Sequence, residues 1–313
     1  MAYGFEAKND SGNVIINDTI ENLHFIGKAT RGSADSDFGD IPGYSGSNDT
    51  LDGRVIHIYT ITCTGTPVAF IKPADYSRWH AIIKQSVSST TWTFQVMISG
   101  TSTSNPPELY CFVNADDIPT PSETHGLLVF KSDGSTKTFD SRKQPLAITG
   151  GGTAVSPSDP TNTSGTPGTT SGHGWNYATN DHDFRSSNRY TEYSNSAINT
   201  SDTMFSCPSI AQACYKRQAH GYKECCFLWW CQDHYSTAAW WVMYRQAFRL
   251  RTGKFDSGWT GYAAGYSFSS SWESGGWFGG GGGSYSSGSM PYTAKTINLQ
   301  SNAYIIADSS RYD

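Results

Sequence analysis

The sequence predicts an all-β fold, and three observations carry that prediction. Its apolar runs are short, rich in β-branched and aromatic residues, and bounded by Gly, Pro and Ser turns. Only 16% of residues are charged and 37% hydrophobic, so Ser, Thr, Asn and Gly carry most of the polarity and helix formers are few. Aromatic residues reach 14%, which supplies large apolar groups at few positions, as short strands need. At 313 residues the chain is long enough for two or three cores.

The N-terminal elements follow in order. Val55–Cys63 is β-branched and aromatic and stops at the turn Thr64-Gly65-Thr66-Pro67. Val68–Lys72 stops at Pro73. Thr91–Ile98 alternates polar and apolar residues and ends at Ser99-Gly100, and Leu109–Val113 is a further apolar run. Their spacing predicts a β-sandwich-like module over residues 1–148. From Thr149 to Gly174 nearly every residue is Gly, Ser, Thr, Pro, Asn or Asp, a composition unable to bury a core, so 149–174 reads as a linker. Residues 175–313 then form an aromatic-rich β module that holds eight of the ten Trp residues.

Within that module, Phe227–Cys231 and Ala238–Tyr244 read as a hairpin closed by a long loop, Gln232–Thr237. The doubled tryptophans put one indole on each face of a strand. Further on, Trp259, Tyr262, Trp272, Glu273 and Trp277 lie in segments rich in Gly and Ser and read as loops. Rings beside small polar groups suit a glycan or receptor surface, with stacking on sugar faces and hydrogen bonds to hydroxyls. The same residues equally suit a packed interface between copies. Both readings stand, and these five are the candidate binding residues.

Several classes are disfavoured. The net charge of −5 argues against a nucleic-acid partner. The one basic concentration, Tyr244–Arg251, alternates so that Arg245, Arg249 and Arg251 share one strand face, which reads as a solvated face. No apolar run approaches the ~20 residues that span a bilayer, so no membrane insertion is expected. The start Met1-Ala2-Tyr3-Gly4 lacks a signal-peptide pattern, so synthesis in the cytosol is expected. The seven cysteines are Cys63, Cys111, Cys207, Cys214, Cys225, Cys226 and Cys231. They form no paired C-x-x-C knuckle, and a metal site near His220 and His234 is only weakly signalled; none is predicted. His24, His57 and His80 read as strand or core histidines. Asp233, Asp256 and Glu273 are the carboxylates that glycoside cleavage would need as a pair, but no spacing joins them, and no enzyme, catalytic residue or cofactor is predicted.

The most informative feature is an internal echo. Tyr3-Gly4-Phe5 through Gly12 to Asp18-Thr19 recurs without gaps as His125-Gly126-Leu127-Leu128-Val129-Phe130 through Gly134 to Asp140-Ser141. Each copy reads as a strand, a Gly turn and a second strand, that is, a β-hairpin. The Gly-Leu-x-Val-Phe pattern with Gly134, Phe139-Asp140-Ser141 and Leu146 resembles a short segment of minor tail and tail-tip proteins of tailed bacteriophages. In the first copy Asn17-Asp18 replaces Phe-Asp. The resemblance covers about fifty residues in two pieces. It implies a structural protein of the virion tail, at the tip or a fibre, contributing to host attachment. The alternatives are a purely architectural tail or neck component and a polysaccharide depolymerase tailspike. The implied partners are other phage tail proteins, further copies in a trimer or higher symmetric ring, and a host cell-surface glycan or protein.

Overall fold

The computed structural model describes residues 6–8, 14–17, 21–35, 54–99, 104–118, 122–154, 190–194, 196, 198–207, 212–227, 230–272, 292–298 and 302–313. The fold is all-β. From the first half come β1 (Glu6–Lys8), β2 (Val14–Asn17), β3 (Leu23–Lys28), β4 (Thr30–Asp35), β5 (Arg54–Thr62), β6 (Val68–Lys72), β7 (His80–Ser88), β8 (Thr91–Ser99), β9 (Glu108–Asn114), β10 (Leu128–Phe130) and β11 (Lys137–Asp140). The second half adds β12 (Ile148–Ala154), β13 (Tyr190–Ser194), β14 (Thr203–Ser206), β15 (Gln212–Phe227), β16 (Trp230–Arg251), β17 (Lys254–Trp272), β18 (Tyr292–Asn298) and β19 (Asn302–Asp308).

Two antiparallel sheets face each other across the main core. One runs β12-β19-β14-β6-β9-β3; the other runs β13-β17-β16-β7-β8-β5-β4, with β15 branching from β16 and β18 from β15 to make nine strands. Strand alternation decides which side chains meet between them. Tyr59, Phe94, Val96, Phe248, Leu250 and Phe255 come from the nine-stranded sheet, and Ile71, Leu109, Cys111, Phe205, Tyr304 and Ile306 from the six-stranded one. Phe248 stacks on Phe255 at 5.4 Å and Phe255 on Tyr304 at 4.2 Å, while Phe205 meets both phenylalanines edge-on. Aromatic pairs of this kind add roughly 0.5–1.5 kcal/mol each beyond the area they bury. The opposite parity of the six-stranded sheet is also buried, in a second cluster of Phe70, Tyr110, Phe112, Met204, Ala307 and Tyr312.

These pairings correct the expected division at residues 149–174. Thr149–Ala154 does not belong to a linker: it lies in β12, which pairs with β19. β14 bridges β19 and β6, so strands from both sides of the low-complexity segment complete one sheet and one core. Composition marks where a chain cannot bury surface, but it does not show which strands pair across the gap.

Both echoed segments are hairpins. β1 pairs with β2 and β10 with β11, and the register slips at the equivalent place in each, between Ala7 and Lys8 and between Val129 and Phe130. The second strands differ by one position: Glu6 faces Asn17, whereas Leu128 faces Asp140. Gly134 takes φ +72°, the left-handed conformation that favours glycine at this turn. The second hairpin is fastened to the six-stranded sheet through β3. His24 is buried and accepts a hydrogen bond at Nε2 from the Asp140 N–H at 3.2 Å, so its Nδ1 carries the proton donated to the Asn22 carbonyl at 3.0 Å. Arg142 grips the buried Asp140 carboxylate through Nε and Nη2 at 2.8 and 2.7 Å.

Candidate functional site

β15, β16 and β17 contain 16, 22 and 19 residues. β16 pairs with β15 from Trp230 to Arg245, and its other edge pairs with β17 from His234 to Arg251. β18 adds to the free edge of β15. Only at Phe248 does β16 join β7 of the sandwich. The result is a four-stranded ladder rooted in the nine-stranded sheet. Chain reversal falls between Phe227 and Trp230, not at Gln232–Thr237 as the polar run suggested; those six residues pair with β15 throughout. Likewise Asp256–Tyr262 and Ser269–Trp272 belong to β17 and are not loops. Polar residues are tolerated in these strands because backbone pairing with the neighbouring strands holds them extended.

The register places the candidate residues. Trp259 stands opposite Gln246 and Trp272 opposite His234, both at the parity of Phe248 and Leu250, which enter the core. Two residues 13 apart would fall on opposite faces of a regular strand. Here Met243 faces Ala263 and Tyr244 faces Gly261, leaving Tyr262 as an extra, unpaired residue. That bulge returns Trp259 and Trp272 to one face. Twelve rungs of β16 separate them, about 40 Å at ~3.3 Å per residue, so they line a strip and do not converge on one pocket. Further positions on the same strip are Trp240 opposite Tyr266, Ala238 opposite Phe268, and Trp230 opposite Phe227. Glu273 and Trp277 lie outside the described residues.

At the root of the ladder the other face carries a charged rail. Asp256 is wholly buried and sits between two arginines. Arg249 donates to it through Nε and Nη2 at 2.9 and 2.7 Å, and Arg251 through the same two nitrogens at 2.7 Å each. Arg251 also bonds Glu192 at 2.5 Å, and Glu192 takes Lys254 at 2.5 Å. The Arg249 guanidinium lies over the Trp79 ring, 4.7 Å from its centroid. Hydrogen bonding to Asp256 raises the Arg251 pKa, and the Lys254 and Arg251 contacts lower that of Glu192. The Arg249 and Arg251 positions expected to form a solvated face therefore clamp a buried carboxylate. Both Asp256 oxygens are occupied, which makes this carboxylate a structural group.

Sequence reasoning missed one feature of the buried histidines. His57 is 2% exposed and, among the described residues, neither of its ring nitrogens has a hydrogen-bond partner, nor does Nδ1 of the 1% exposed His80. Burial lowers the pKa of both, that of His80 to about 4. Cys63, Cys111 and Cys207 are buried. Desolvation raises the Cys111 thiol to about 12. No cluster suited to a metal occurs among the described side chains. An open cleft bordered by Thr66, Val68, Ile82, Lys84, Ser206 and Cys207 brings together no acid–base pair.

The chain matches no protein-family model, no curated protein and no solved structure.

Proposed function

We propose that this chain is a structural protein of a bacteriophage tail, in which a β-sandwich is fastened to neighbouring tail proteins and the strand ladder contacts further copies or the host surface. The observation that carries the reading is the ladder itself. Strands in globular domains usually run about 5–6 residues, whereas β16 has 22 and would extend about 70 Å. Such strands supply reach and a long aromatic strip, which suit assembly and adhesion better than they suit enclosing a small substrate. The hairpins supply the fastening. Leu127 and Phe130, beside and in β10 respectively, are 46% and 38% exposed, and large apolar groups at a surface favour a protein contact.

The test uses the full chain. Purified protein is expected to form a trimer or a higher symmetric ring in light scattering, to bind isolated tail proteins, and to bind host envelope fractions. A monomer that binds neither tail proteins nor envelope overturns the reading. Loss of polysaccharide viscosity on incubation would instead favour a depolymerase.

A further inference from the structure

The register of the β15–β16 hairpin brings together four residues that the sequence separates. Cys226 faces Cys231. On the next rung of the same face, Glu224 stands opposite Asp233. Alternation assigns Cys225, opposite Gln232, and Lys223, opposite His234, to the other face. Opposed Cα atoms in an antiparallel ladder lie about 4.5–5.5 Å apart, and same-face rungs repeat about every 6.8 Å along the strand. The Cα positions of two cysteines and two acidic residues thus mark a rectangle of about 5 by 7 Å, the scale on which four protein ligands surround one tetrahedral ion.

Chemistry favours a cation over the simpler alternative. Directly opposed carboxylates repel each other and weaken a ladder, and a shared divalent ion reverses that sign. A disulfide would account for the two cysteines but not for the two acidic residues paired on the next rung of the same face. One bound ion accounts for all four residues. Thiolates select a soft or borderline metal over calcium or magnesium, which prefer all-oxygen sites. We propose that Glu224, Cys226, Cys231 and Asp233 bind one zinc-class divalent cation that staples the tip of the ladder. Both thiols ionise on binding, so two protons pass to solvent for each ion taken up, while the carboxylates are already charged at neutral pH. The Cys226-x4-Cys231 spacing differs from a C-x-x-C knuckle because the two ligands sit on separate strands, paired by register.

Cobalt(II), a spectroscopic substitute for zinc, tests this on the full-length chain held reduced with a phosphine. One equivalent should bring up the visible bands of a tetrahedral ion and a thiolate-to-cobalt charge-transfer band, both removed by zinc, with release of two protons. The Cys226→Ser, Cys231→Ser double variant should lose the charge-transfer band. Glu224→Gln and Asp233→Asn should each weaken binding at least about tenfold. Cys225→Ser should leave the spectrum unchanged, which also shows that the assay tolerates loss of an adjacent thiol. Cobalt bands that survive the double substitution overturn the proposal. So does a reduced wild-type chain, both thiols shown free by peptide mapping, with its β-sheet circular dichroism intact and no cobalt band.

Discussion

Arg251 and Asp256 meet side-on, with Arg251 Nε donating to one carboxylate oxygen of Asp256 and Nη2 to the other, each at 2.7 Å. Arg249 approaches the same carboxylate from the paired position on β16. The arrangement matters because Asp256 is fully buried where the ladder leaves the sandwich, while the two arginines keep 20% and 34% side-chain exposure. A buried charge is tolerated only when paired, so the clamp secures the joint between the two parts.

Asp256→Ala leaves two guanidinium groups without their shared partner and is expected to cost on the order of 3 kcal/mol, toward the low end for a broken buried pair because the arginines reach solvent. Urea denaturation of the full chain checks it. A loss below about 0.5 kcal/mol would mean that the clamp behaves as a surface pair.

Acid should destabilise the protein in two separate windows. The ordinary pKa of histidine is 6.5, and burial depresses that of folded His57 and lowers His80 to about 4, with the backbone hydrogen bond to Arg78 and the charge of Asp75 opposing the shift at His80 and the Arg78 charge reinforcing it. Stability from these neutral rings is therefore complete above pH 6.5 and lost as pH falls toward about 4, by on the order of 3 kcal/mol for His80. Asp75 and Asp140 have depressed pKa values through hydrogen bonds from Ser77 and Arg142, so their contribution is lost only below their ordinary 3.8. Unfolding free energies measured from pH 7 to pH 4 should slope downward, and His80→Gln should flatten that slope. An unchanged slope in the variant refutes the assignment.

Gly134→Ala is expected to cost about 1 kcal/mol. Its φ of +72° strains an L side chain, although nothing lies within 4 Å of an added Cβ. Gly134→Asn should cost less, because Asn tolerates the left-handed region. Equal losses for the two would point to a steric clash instead of strain.

Trp259 and Trp272 should behave differently despite sharing a face. Trp259 lies across from Gln246, which is buried and bonded to Ser257 at 2.7 Å, so Trp259→Ala is expected to lower thermal stability. Trp272, about 40 Å away at the far end of the strip, is expected to matter for contact: Trp272→Ala should leave the melting temperature within about 2 °C and reduce binding to envelope or tail partners severalfold. The reverse pattern would place the adhesive region at the root.

The sequence alone determined the class of fold and the strand cores. β6 coincides with Val68–Lys72, and β5, β8 and β9 differ from the expected runs by a residue or so at their ends, because β-branched alternation and Pro or Gly stops act locally. The hairpin turn at Gly134 was legible for the same reason. Only tertiary structure decided the rest. Which strands share a sheet across residues 149–174 depends on hydrogen bonds between segments far apart in the chain. Polar runs such as Gln232–Thr237 became strand because two neighbouring strands pair with them. The face of Trp272 depends on one extra residue at Tyr262, and the meeting of Cys226 with Cys231 depends on register. Register arises between strands, so no single stretch of residues encodes it.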